Sequence, residues 1–282
     1  MKKIIVPLDF SDYSINALRY AILYANKYKA DIQLVYVIEK KVKAYSKLAK
    51  QEKEIAAGQM KRIIEDHKSE LNEAVTFDYI VKYGRIYEEI AEQVEAFEDS
   101  VIICSTQGES GWSEYFVGSN TYRIVESTIR PVFSIRSSKN INPPETIVMP
   151  IDITKETREK VPMVASIAKK FNSTVHILKV TSSTSEGIHS NLKMYATQVS
   201  KYFKEHEIKH ENSLIVGNNI SNVTIEYAKT VEADLIAVMT EQTWSLSNLL
   251  MGSYARQMLN NSPVPVLNIT PQEVIKANFK RL

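Results

Sequence analysis

The residues best suited to chemistry lie in one run, CSTQGESGWSEYFVGSN, Cys104 to Asn120, which follows an apolar strand-like segment and precedes a helix-like one. Gly108 and Gly118 lack a Cβ, so a ligand can approach their backbones closely. The amides of Ser119 and Asn120 open the following helix, whose positive end favours phosphate, and the Ser119 hydroxyl can donate as well. Asp9, in VPLDFSDYS, adds a carboxylate suited to accept hydrogen bonds from ribose hydroxyls or an adenine amine. This is binding chemistry rather than bond cleavage. No GxxxxGK[ST] segment is present, and no lysine falls between Cys104 and Asn120 to neutralise a developing phosphate charge, so no catalytic residue is assigned.

Each feature also has a purely structural reading. Asp9 can cap the helix that starts near Ser11, and Gly118 with Ser119 can form a tight turn and an N-cap. Cys104, flanked by apolar residues, reads as an inert buried thiol. Trp112 and Tyr115 either cover a ligand or pack the loop. HEIKH, His206 to His210, matches the zinc-protease pattern literally. Its register places His210 beyond the end of a helix, so no metal ligand is assigned.

The elements that must position these residues occur twice. Ile4 to Val37 is answered without a gap by Ile147 to Val180, with Asp9 and Asp152 standing 143 residues apart. Gly118 to Ile135 is answered by Gly252 to Ile269 at an offset of 134. A repeat this long is a whole domain with its own core, not a solenoid unit. The predicted organisation is a first domain over 1–136, a linker over 137–145 rich in Ser, Asn and Pro, and a second domain over 146–282. In each copy short apolar runs alternate with helical periodicity in the order βαβαβαβαβ, which predicts a doubly wound α/β domain with parallel strands. Strands one and four then flank the switch point, where ligands settle beyond the carboxyl ends of strands.

In the first copy the amphipathic stretch from Lys41 to about Glu73 predicts a long helix, its charged stripe a solvated face. In the second copy the helix through Tyr195 to Phe203 is expected to carry a shortening of nine residues. Val161 to Phe171 is expected to be helical, and TPQEVIKANFKRL to form a last helix capped by Thr270.

Composition is that of an ordinary globular chain of 282 residues: 44% hydrophobic, 24% charged, formal net charge +2. That balance argues against general binding to nucleic acid or anionic membrane. The apolar run after Lys3 ends at Asp9, too short for an export core, and no run approaches a membrane span. A single cysteine, Cys104, suits a reducing cytoplasm.

VPLDFSDYS followed by STQGESGWSEYFVGS resembles the signature of the universal stress protein family, and both copies together look like a tandem member. Gly108, nine residues, Gly118 and Ser119 match the family loop, whereas Ser105 stands where its first Gly belongs. The resemblance implies an adenine nucleotide alpha hydrolase-like, Rossmann-like fold, with a five-stranded sheet and helices on both faces in each half. It also implies a site for ATP, possibly with Mg2+. Asp9 would hold ribose, Val37 adenine with Pro7 beside the base, and Cys104, Ser105, Gly108, Gly118, Ser119 and Asn120 the remainder. The last strands, PVFSI and PVPVLNI, would pair the halves as a pseudo-dimer, with a homodimer and an unknown protein partner as further associations.

Glu109 and Glu114 repel phosphate by about 1 kcal/mol or more each near a surface, so modest affinity is expected. The second copy has Met239 and Gln242 in place of the first two loop glycines and is expected not to bind ATP. Its Asp152 then reads as an inherited turn residue. The expected function is an ATP-binding stress-response module with little hydrolysis. The alternatives are a ligand-free interaction scaffold and an adenylating enzyme, the latter opposed by the absence of an SGGxDS loop.

Overall fold

The run Ile4, Ile5 and Val6 is fully buried, as expected of a strand covered on both faces, and it forms the centre of β1 (Lys3–Pro7). The computed structural model describes residues 1–39, 47–106, 119–136, 141–240, 242–245 and 248–271. These divide into two compact units, 1–141 and 142–282.

In the first unit β1 leads into α1 (Asp12–Tyr28), capped by Ser11, whose Oγ accepts from the Ser14 amide at 3.2 Å. Lys29 ends the helix in the left-handed conformation, φ 54°, and β2 (Asp31–Glu39) follows. Then come α2 (Lys47–His67), β3 (Phe77–Gly84), α3 (Ile86–Glu95), β4 (Ser100–Ser105), α4 (Ser119–Ser127) and β5 (Val132–Ile135). The strand order is β3-β2-β1-β4-β5, all parallel. The switch point therefore lies between β1 and β4. An aromatic cluster fixes α1 on the sheet. Tyr24, fully buried, meets Phe133 of β5 with ring centroids 4.9 Å apart, and its hydroxyl lies 3.2 Å from that of Tyr20.

The second unit repeats this plan with β6 (Thr146–Ile151), α5 (Val161–Phe171), β7 (Thr174–Thr181), α6 (Glu186–Glu205), β8 (Lys209–Val216), α7 (Ile220–Thr230) and β9 (Leu235–Met239). A hairpin of β10 (Gln242–Ser245) and β11 (Asn248–Met251) intervenes before α8 (Ser253–Asn261) and β12 (Val266–Ile269). Its parallel sheet runs β8-β7-β6-β9-β12. The expected fold class, two tandem doubly wound domains, is the one observed. Asn172 closes α5 at φ 57°, the place Lys29 takes in the first unit.

Two details differ from expectation. Among the described residues the two helices scarcely differ, since α2 has 21 residues over 47–67 and α6 has 20, so the shortening shows elsewhere as well. It lies partly in the segment after that helix, 68–76 in the first unit and 206–208 in the second. The longer segment is fastened to α1, because Asn26 accepts from the Asn72 amide at 2.9 Å and donates to the Glu70 carbonyl at 2.7 Å. Second, α1 starts at Asp12 while its counterpart α5 starts at Val161, six residues later in the repeat register. Pro162 accounts for this. A proline has no amide to bond to residue 158 and is tolerated only in the first helical turn, so 152–160 form a loop with one 3-10 turn, Glu156–Arg158.

The start of the long helix at 41–46, the linker at 137–140 and the tail helix at 272–282 lie outside the described residues. Among the described residues no helix is long and apolar enough to cross a membrane.

Candidate functional site

At the carboxyl edge of the first unit, Pro7 ends β1 opposite Val35 of β2, and Asp9 lies two residues further on. Asp9 is half-buried, and its Oδ1 accepts from the Ser11 amide at 3.1 Å and from the Ser11 hydroxyl at 2.5 Å. The turn between them is sharp. Phe10 adopts φ 66°, a region L residues avoid, and its ring stacks on Tyr36 of β2 at 4.9 Å. Tyr36 in turn donates to Glu52 of α2 at 3.2 Å.

Val37 is buried in β2, opposite Lys82 of β3. Cys104 and Ser105 close β4 opposite Ser134 and Ile135 of β5. Ser119 opens α4 and Asn120 is exposed in its first turn. That turn is tied to the strand, since Thr121 Oγ1 donates to the Ser105 carbonyl at 2.8 Å. Pro7, Asp9, Val37, Cys104, Ser105 and the start of α4 thus lie on one edge of one sheet. Gly108, Gly118, the Ser119 side chain, Glu109, Trp112, Glu114 and Tyr115 lie outside the described residues.

Burial pushes the Cys104 thiol up to about 12, so it stays a protonated, unreactive group at neutral pH. Its counterpart in the second unit is Val238, which agrees with a packing role.

The second unit repeats the acidic turn. Asp152 Oδ1 accepts from the Thr154 amide at 2.8 Å and from the Thr154 hydroxyl at 2.6 Å. Around it the carboxyl edge holds an open cavity of about 810 Å³. The loop released by Pro162 supplies one wall, with Asp152, Thr154, Glu156, Thr157 and Lys160. The first turns of α7 and α8 supply others, through Ser221 and Ser253. Asn219 caps α7, its side chain accepting from the Asn222 amide at 3.0 Å, whereas α8 has no side-chain cap. Tyr254 on α8 also lines the cavity, its hydroxyl 3.3 Å from Thr224 Oγ1.

Lys160 is the residue that sequence reasoning missed. It is 2% exposed, and its ammonium donates to Thr157 Oγ1 at 3.3 Å, an oxygen that also accepts from the Asp152 amide at 3.1 Å. Burial pushes its pKa down to about 8, against the opposing charge of Asp152. The signal was present in the repeat, because the position 143 residues earlier is Ala17, a small residue buried in α1.

The histidines of HEIKH separate: His206 caps the end of α6, bonded to the Tyr202 carbonyl at 2.8 Å, and His210 lies in β8. Among the described residues no group of three or more His, Cys, Asp or Glu side chains is placed to hold a metal.

Residues 1–136 and again 144–269 match the universal stress protein family. A universal stress protein of Methanocaldococcus jannaschii is 28% identical over 152 residues, 49% of this chain and 84% of its own. The fold is similar to the crystal structure of a universal stress protein from Archaeoglobus fulgidus, with TM-score 0.75 at 16% identity over 95% of this chain and 98% of that one. A putative universal stress protein of Pseudomonas aeruginosa aligns with TM-score 0.70 at 16% identity over 98% and 96%. With two matches that together span most of its length, each on a doubly wound domain, the chain belongs to the universal stress protein family.

Proposed function

We propose that the first domain binds an adenine nucleotide, ATP with or without Mg2+, and that the protein is a cytoplasmic stress-response module which holds nucleotide and signals to a protein partner. One convergence carries this reading. Asp9 after β1 and the amino terminus of α4, anchored to Ser105 through Thr121, share the carboxyl edge at the switch point between β1 and β4. A helix amino terminus favours phosphate, and a carboxylate across the same edge suits hydroxyls or an amine. The spacing of Gly108, Gly118 and Ser119 supports the same ligand. With no lysine between Cys104 and Asn120, the transferring phosphate lacks a positive partner, so the bound nucleotide is held rather than turned over.

Titration calorimetry with ATP and Mg2+ tests the proposal. Asp9→Asn keeps an oxygen for Ser11 but removes the charge, and it should weaken binding about tenfold or more. Gly118→Val should abolish binding, and Asp152→Asn should leave it unchanged. Phosphate release should stay near background. No heat at millimolar ATP would transfer the reading to an interaction scaffold, and pyrophosphate release with an acceptor would transfer it to an adenylating enzyme.

A further inference from the structure

The second domain differs from the first most sharply in charge placement. An ammonium has three N–H donors, and Lys160, 2% exposed, satisfies one of them on Thr157. Among the described residues no carboxylate lies within ion-pair distance of it, although Asp152 acts on it electrostatically. A buried charge left in this state is costly, and selection against it is simple, since Ala17 fills the same place in the first domain. The lysine also lines a cavity of about 810 Å³, a volume that accommodates a compact metabolite. The ammonium has donors beyond the one bonded to Thr157, and an acceptor oxygen brought in by a ligand would meet them.

The lining narrows the chemistry. Asp152 and Glu156 share the cavity with Lys160, so a chain of phosphates meets two carboxylates and one cation. A single oxyanion on a small body does not meet that imbalance at several points. The lining also includes Thr181, Asn218, Ser221 and Gln257, whose hydroxyl and amide groups are of the type that partners hydroxyls on a ligand.

We propose that the cavity of the second domain binds a small hydroxylated molecule carrying one oxyanionic group, carboxylate or phosphate, whose oxygen accepts from the Lys160 ammonium. The site is separate from the nucleotide reading of the first domain and does not rest on it. Binding requires the protonated amine. Lys160 releases its proton at about 8, so affinity falls above that pH, while Asp152, Glu156 and the Tyr254 phenol are the other titratable groups lining the cavity.

The probes are gluconate for the carboxylate, glucose 6-phosphate for the phosphate, and glucose as the uncharged control. At millimolar concentration at least one anion should raise the melting temperature by about 5 °C or more at pH 7, and glucose should not. The shift should vanish in Lys160→Met, which removes the charge at nearly constant length and leaves the first domain untouched. Affinity for the wild-type protein should fall about tenfold per pH unit above about 8. A response to gluconate alone assigns a carboxylate, and one to glucose 6-phosphate alone assigns a phosphate. No shift with either anion, or equal shifts in the wild type and Lys160→Met, overturns the proposal.

Discussion

The two domains make the same acidic turn and put it in different company. Asp9 holds Ser11 and Asp152 holds Thr154 through the same pair of bonds, an amide and a hydroxyl to one carboxylate oxygen. That motif survives beside Ala17 in one domain and Lys160 in the other, so it belongs first to the fold and only then to any ligand. The informative residues are those that changed. Ser105 became Met239, Thr121 became Ala255, and Ala17 became Lys160, which together exchange a strand-to-helix tie for a buried cation.

The largest test of this contrast is to move the cation. Ala17→Lys buries an ammonium in a packed helix with no loop to receive it, and it should cost at least about 4 kcal/mol in urea unfolding. Lys160→Met should do the reverse. Because the folded pKa of about 8 lies below the ordinary lysine value of 10.5, both states hold the proton below about 8 and the burial penalty is complete there. Between the two values the unfolded chain alone keeps the proton, stability of the native protein rises with pH, and above 10.5 the penalty is gone. The substitution should therefore stabilise at pH 7 by on the order of 3 kcal/mol, with the gain fading as pH approaches 10.5.

A smaller contrast concerns the turn hydroxyls. Ser11 caps α1, so Ser11→Ala should lose about 1 kcal/mol. Thr154 precedes a loop rather than a helix, and Thr154→Ala should lose about half of that or less by the same measurement. The smallest expected effect is Cys104→Val, which installs the residue found at 238 and should change stability by about 0.5 kcal/mol or less. The native thiol should resist alkylation at pH 8 until the protein is unfolded.

Much of this was legible in the sequence. The internal repeat disclosed two domains, and helical spacing placed a helix over Val161 to Phe171, where α5 lies. Asp9, Val37, Cys104 and Ser105 were placed at the strand ends where strand periodicity puts them. Connections were less legible, since loop length is weakly constrained energetically, and the shortening assigned to α6 proved to lie in part at 206–208. The hairpin β10–β11 was not legible, because the repeat aligns its segment with the glycine-containing loop of the first copy. Lys160 was not legible either, because lysine is ordinarily a surface residue and only its repeat partner, the buried Ala17, marks its position as interior.

The left-handed backbone at Phe10 has a mechanical corollary. An L residue held at φ 66° needs a restraint, and here the restraint is an aromatic ring resting on Tyr36, itself tethered to Glu52 on an outer helix. Displacing α2 far enough to break that tether removes a prop from the residue adjoining Asp9. The solvent side of the first domain is thereby coupled, through one hydroxyl and two stacked rings, to the posture of its acidic turn.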